Sequence, residues 1–178
     1  MHNNFSEEDF KKVSNFLLRK DKNKILTQSI NVEKFEKLWS KWLGTKYSVF
    51  VNSGSSANLL TMTCLKSILK ENDEIIVPTL TWPSDIMAVI LNNFKPVFVD
   101  INLKNLGMDE DEIIKRVNKK TKAVFITHAQ GFNSLSKRLI NYLKKNKIIL
   151  IEDVCESHGA TFNKKKLGTY GLISNFSF

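Results

Sequence analysis

From Tyr47 onward the chain alternates between two rhythms, and this alternation restricts the possible folds more than any other feature. Five short runs, Tyr47–Val51, Glu74–Val77, Pro96–Val99, Ala123–Thr127 and Ile148–Ile151, are β-branched or aromatic and nearly continuous in apolar character. Strands covered by helices on both faces read this way. Between the runs lie helical patterns at Ser56–Leu69, Pro83–Leu91, Asp109–Val117 and Ser134–Lys145. Pro83 suits a first helical position, and Asp109 with Glu112 has the spacing of a capping box. Strand–helix alternation of this kind predicts an α/β fold, three layers αβα around a mostly parallel sheet.

Two helices precede the alternation. Ser6 followed by Glu7, Glu8 and Asp9 is an N-terminal capping signature for a helix reaching about Arg19. A second helix is expected over Val32–Leu43, with Val32, Phe35, Leu38, Trp39, Trp42 and Leu43 on one stripe. Helical spacing makes core packing the reading of its tryptophans. Gly44 stands where a helix stops in the left-handed conformation.

Composition narrows the function. A chain of 178 residues, 42% hydrophobic and 25% charged, predicts one compact domain with a real core. The longest apolar run, Ile86–Leu91, falls far short of the roughly 20 residues of a membrane helix. The start, MHNNFSEEDF, has neither the basic nor the apolar stretch of a secretory signal. Cys64 and Cys155 are too few for a disulfide framework, which points to a reducing compartment and a cytoplasmic protein. The net charge of +9 invites a nucleic-acid reading, but only Arg19, Arg116 and Arg138 are arginines. Arginine is the residue that clamps phosphates and bases in pairs. The run Lys164–Lys166 lacks interleaved aromatics and reads as a solvated turn. A lysine-rich surface accounts for the charge, and no nucleic-acid partner is expected.

In such a sheet, ligands sit beyond the carboxyl ends of the strands. Four stretches converge there. Asn52-Ser53-Gly54-Ser55-Ser56 joins a strand to a helix and suits an anion, as would an ordinary serine-capped turn. Pro78-Thr79-Leu80-Thr81-Trp82-Pro83 offers an aromatic face or a packed hinge. In Thr127-His128-Ala129-Gln130-Gly131, His128 is either a ligand group or a cap on the sheet. Ile151-Glu152-Asp153-Val154-Cys155-Glu156-Ser157-His158-Gly159 ends a hydrophobic strand in carboxylates, so a cationic partner is expected near Asp153. A metal site at Cys155, Glu156 and His158 lacks a second ligand cluster, and no metal is expected. A Ser/His/Asp hydrolase lacks its G-x-S-x-G elbow.

Taken together and in order, LTQSINVEKFEKLWSKWLG, VNSGSSANLL, DEIIVPTLTWPSDIMAVI, KPVFVDI, THAQGF, IEDVCESHGATFNKKKLGTYG and SNFSF resemble the DegT/StrS-type sugar aminotransferases. These are pyridoxal-phosphate (PLP) enzymes of the aspartate-aminotransferase fold. The resemblance runs from about Leu26 to Phe178. It implies a nucleotide-linked keto-sugar substrate and an amino donor. It further implies a role in surface polysaccharides such as lipopolysaccharide O-antigen, and a homodimer. It also implies roles for named residues. Ser55 and Ser56 match the phosphate-holding pair, Trp82 the aromatic stacked on the pyridine ring, and Asp153 the aspartate on the ring nitrogen. Glu156 stands where aminotransferases usually carry glutamine, and Ser177 matches a further phosphate-binding serine.

The resemblance also marks departures. The family's reactive lysine follows the serine matching Ser177 by five residues, past Phe178, so no catalytic residue is expected within the chain. Residues 1–25 are then a helical lead-in and 26–178 an incomplete PLP-binding large domain, truncated before its last strands. The small carboxy-terminal domain is absent. In the family's strand order, Tyr47–Val51 pairs with the strand after that lysine. EDVCESHGAT and GLISNFSF resemble the branch in which histidine replaces the lysine and the enzyme is a sugar 3-dehydratase. The expectation is an aminotransferase first and a 3-dehydratase second. A non-catalytic remnant or split subunit is the third reading.

Overall fold

The computed structural model describes residues 5–19 and 25–178. Residues 1–4 of the expected signal-free start and 20–24 of the expected lead-in lie outside them. Helix α1 (Glu7–Leu18) begins at Ser6, whose hydroxyl and Asp9 form a reciprocal capping box, but the helix buries no side chain. Helix α2 (Ile30–Leu43) stops at Gly44, where φ is +90° and the N–H bonds Ser40. Any side chain there would be strained.

Helix α3 (Gly54–Leu65) leads to strand β1 (Glu74–Pro78), α4 (Pro83–Leu91), β2 (Lys95–Val99), α5 (Glu110–Arg116) and β3 (Thr121–Thr127). A single 3₁₀ turn at Ala129–Gly131 precedes α6 (Lys137–Lys145) and β4 (Ile149–Asp153). A two-stranded hairpin, β5 (Thr161–Phe162) and β6 (Lys165–Lys166), precedes β7 (Ile173–Asn175). The main sheet runs β2-β1-β3-β4-β7, every pair parallel.

The period-2 alternation of the central strands builds the three layers. Ile75, Val77, Ala123, Phe125 and Ile151 face one way, against Met62 and Leu65 of α3 and Ala88 and Val89 of α4. Ile76, Val124, Ile126 and Leu150 face the other, against Ile113 of α5 and Leu139 and Leu143 of α6. Both sets are excluded from water, so these strands read as unbroken apolar runs.

Several sequence expectations are corrected. Tyr47–Val51 is not a strand, because among the described residues no ladder partner lies beside it; the Phe50 N–H bonds the Glu36 carboxylate instead, at 2.7 Å. Helix α6 starts at Lys137 and not at Ser134, because Ser134 is drawn onto β3: its hydroxyl bonds the Thr127 carbonyl at 2.8 Å. The stripe of α2 is not core; Leu43 alone is buried, and Trp39 packs with Phe35, Trp42, Phe176 and Phe178 in a half-open aromatic cluster. Lys164–Lys166 is not simply a turn: Lys165 and Lys166 form β6, with ammonium groups 4.9 Å from the Tyr170 ring centre and 4.7 Å from that of Trp42. Among the described residues no helix is long and apolar enough to cross a membrane.

Candidate functional site

The carboxyl end of β4 decides the local chemistry. Its alternation continues past Ile151, so Glu152 and Asp153 point to opposite faces of the sheet. Glu152 is fully buried. Its Oε1 accepts the N–H groups of Tyr170 (2.8 Å) and Gly171 (2.6 Å), and its Oε2 accepts that of Gly168 (2.8 Å). His128, also fully buried, stands with Nε2 3.2 Å from the same Oε2. The Ser134 N–H donates to His128 Nδ1 at 3.2 Å, so the ring proton sits on Nε2 and donates to Glu152. Burial drives the Glu152 carboxyl upward, but the bonds from His128, Gly168 and Gly171 outweigh it and hold the group below its ordinary value. Of the two roles open to His128, the geometry supports the cap: it ties β3 and β4 to the loop that leads into β7.

Asp153, on the other face, is 3% exposed. Its Oδ1 accepts the Cys155 N–H at 2.8 Å. The expected cationic partner is not there. Among the described residues no Lys, Arg or His forms an ion pair with Asp153. Its neighbour is instead a second carboxyl group, Asp85, on the first turn of α4 and fully buried. Asp85 Oδ1 takes the Asn58 amide at 2.5 Å, and Oδ2 takes the hydroxyls of Thr81 and Thr127. Asn58 in turn accepts from Asn175 (2.7 Å), which accepts the Thr61 hydroxyl (2.7 Å). Burial first, and then the charge of Asp153, push Asp85 up to about 8. The Cys155 thiol is pushed up as well, by burial and then by Asp153.

The cradle beside this pair is formed by the start of α3. Ser53 caps the helix, accepting the Ser56 N–H at 3.1 Å and lying 3.1 Å from the Ser56 hydroxyl. The N–H groups of Gly54 and Ser55 open the helix and have no intrahelical acceptor. Gly54 is required by close approach: a Cβ there would stand 2.9 Å from Ser177 Cβ and 3.5 Å from Cys155 Sγ. Ser177 therefore meets the start of the helix that carries Ser55 and Ser56. Trp82, the N-cap of α4, is 68% exposed and is not core. Glu156 is exposed, and its Oε2 accepts the Gln130 N–H at 2.8 Å. His158 stacks between Phe176 and Phe178, away from any ligand cluster. Among the described residues no group of three His, Cys, Asp or Glu is placed to hold a metal ion.

Asp85, Asn58 and Asn175 were given no role by the sequence reading, and neither were Thr81 and Thr127, although both lie in stretches that it placed at the strand ends. An acidic residue in a first helical turn ordinarily serves the helix dipole in solvent, so Asp85 carries no signal of burial. The nearest available hint is its place immediately before the apolar run Ile86–Leu91.

Comparison with known proteins shows the family and the fold. The DegT/DnrJ/EryC1/StrS aminotransferase family model matches residues 5–178. GDP-4-keto-6-deoxy-D-mannose 3-dehydratase of Escherichia coli O55:H7 is 37% identical over 159 residues, covering 87% of this chain and 41% of that protein. GDP-perosamine synthase of Vibrio cholerae is 33% identical over 147 residues, 83% of this chain and 40% of that one. The E. coli 3-dehydratase with bound hydrated PLP superposes with a TM-score of 0.89 at 35% identity, covering 98% of this chain and 45% of the other. The chain thus spans about two fifths of the length of the curated relatives it matches.

Proposed function

This chain belongs to the DegT/DnrJ/EryC1/StrS aminotransferase family, and from that premise we propose that it is the amino-terminal, PLP-binding portion of an enzyme acting on a nucleotide-linked keto-sugar. One observation carries the reading. Asp153 is a buried carboxylate at the carboxyl end of a central strand, with no cation of the described protein beside it. A protonated pyridine nitrogen supplies the missing charge, and the carboxylate in turn keeps that nitrogen protonated. When bound, PLP supplies an electron sink for the reacting carbon of the substrate. The start of α3 with Ser55, Ser56 and Ser177 suits its phosphate, since unpaired N–H groups and hydroxyls converge there. Trp82 offers an exposed face to the ring, and Glu156, tied to Gln130, flanks it. On this reading 26–178 is the incomplete large domain, 1–25 its lead-in, and the full-length protein a cytoplasmic homodimer.

Of the two chemistries, loss of the C3 hydroxyl is favoured over amine transfer. The 3-dehydratases share the higher identity among the relatives given above, and Glu156 replaces the glutamine usual in aminotransferases. The family's proton-moving residue is expected five positions after Ser177, so turnover belongs to the full-length polypeptide. That polypeptide, given PLP, an amino donor and a nucleotide-linked 4-keto-sugar, should yield a 3-deoxy product by mass spectrometry. A product carrying a new amine would return the assignment to the aminotransferases. Asp153→Asn should lower turnover roughly 10²-fold or more with folding intact; near-normal turnover would refute the role of Asp153. A remnant or split subunit predicts no in-frame lysine or histidine at that downstream position.

A further inference from the structure

Asp85 has no part in the roles above, yet it is completely buried, and its Oδ2 accepts the hydroxyl of Thr127, the residue that pairs with Asp153 across β3 and β4. We propose that Asp85 is a positioning residue that keeps a proton and shares it with Asp153, so that the two buried carboxyl groups together carry a single negative charge, directed at the cofactor's ring nitrogen.

Two carboxylates in contact and out of water cannot both remain ionised unless a cation offsets them. The groups facing Asp85 are the Asn58 amide from α3, the Thr81 hydroxyl from the β1–α4 loop, the Thr127 hydroxyl from β3 and Asp153 from β4. The remaining titratable neighbour is Cys155, whose thiol feels both aspartates and Glu156. None of these brings positive charge. Among the described residues no Lys, Arg or His forms an ion pair with Asp85. Among the described residues, a proton is then the positive charge available to the pair before a ligand arrives. Burial and the Asp153 charge acting on Asp85 agree with this assignment.

Burial is the strongest influence on Asp85 and decides which aspartate keeps the proton, since the Asn58 amide and the Thr81 and Thr127 hydroxyls by themselves favour its ionised form. Asn58 is held by Asn175, and Asn175 by Thr61, so the Asn58 amide presents its NH₂ to Asp85 and cannot turn without breaking the chain. Asp153 receives the main-chain N–H of Cys155 at 2.8 Å. Protonated Asp85 then donates to Asp153 and holds that carboxyl group in place. A lone aspartate beside the ring would carry the same charge with nothing behind it.

The proposal rests on the cofactor reading for its purpose, but its test does not. Infrared pH-difference spectra of the full-length apoprotein report a buried protonated carboxyl by its C=O stretch. The expected result is a protonated carboxyl persisting at pH 7, lost in Asp85→Asn, and titrating at lower pH in Asp153→Asn as the like charge disappears. Absence of a protonated carboxyl at pH 7 in the wild type would overturn the proposal. So would its survival in Asp85→Asn. PLP binding, followed separately by absorbance, tests the cofactor reading: failure to bind PLP with the carboxyl signal present would strike that reading and leave the shared proton standing.

Discussion

Replacing Glu152 with glutamine tests how much of this fold depends on one buried carboxylate. Each of its oxygens accepts two donors: Tyr170 and Gly171 N–H on Oε1, Gly168 N–H and His128 Nε2 on Oε2. Glutamine turns one oxygen into an NH₂, and no arrangement saves all four bonds. With the amide nitrogen at the Oε1 position, Tyr170 and Gly171 are stranded. With it at Oε2, Gly168 is stranded, and His128 must either face another donor or move its proton to Nδ1, where the Ser134 N–H then loses its acceptor. Two donors, buried or part-buried, go unpaired either way, at about 1–3 kcal/mol each, so the loss is about 2–6 kcal/mol. That is a large part of the ~5–15 kcal/mol by which domains are stable. Urea unfolding of the full-length protein, followed by tryptophan fluorescence, should show a midpoint lower by ~1–3 M at an ordinary m-value. The pH dependence gives a second check. Glu152 is held below its ordinary 4.5, so its contribution is present above that value and fades as pH falls through the lower, folded one. The gap between wild type and variant should therefore close in acid. A shift smaller than about 0.5 kcal/mol at pH 7 would refute the bond count.

Three further outcomes are expected. Asp85 is raised from 3.8 to about 8, so its native form binds a proton that the unfolded chain releases, and stability should fall as pH rises from 4 to 8, by up to ~1.4 kcal/mol per unit; Asp85→Asn should flatten that slope, and a wild-type profile already flat would contradict the shift. Gly54→Ala forces a Cβ to 2.9 Å from Ser177 Cβ, so it should destabilise by about 1–3 kcal/mol and weaken PLP binding, and unchanged affinity by fluorescence titration would count against the cradle. The isolated 178-residue chain leaves one edge of β7 open and Tyr47–Val51 unpaired, so it should associate on size-exclusion chromatography and melt broadly; a monodisperse monomer with a sharp transition would overturn this.

Much of the fold was legible in the sequence because its causes are local. Pro83 opens α4, the Asp109 side chain accepts the Asp111 and Glu112 N–H groups at the head of α5, and Gly44 ends α2, each from backbone chemistry within a few residues. The apolar runs at Glu74, Ala123 and Ile148 became central strands because nothing but a doubly covered sheet can hide them. The site residues suggested by the resemblance lie at strand ends or at the start of α3 and α4, as the topology of such a sheet requires.

What escaped depends on distant partners. The run Tyr47–Val51 has strand composition, but a strand exists only when a neighbour completes its hydrogen bonds, and among the described residues none lies alongside. Ser134 looks like a helix cap and became a brace on β3, because the Thr127 carbonyl and His128 compete for it. Asp85 looks like a solvated first-turn acid, and the packing of α4 against α3 and the sheet buried it against Asp153. Local propensity and periodicity, written in neighbouring residues, determined the elements and their layers. Whether a polar group meets water, a donor or another charge is a property of three-dimensional neighbours, and the tertiary structure alone decided it.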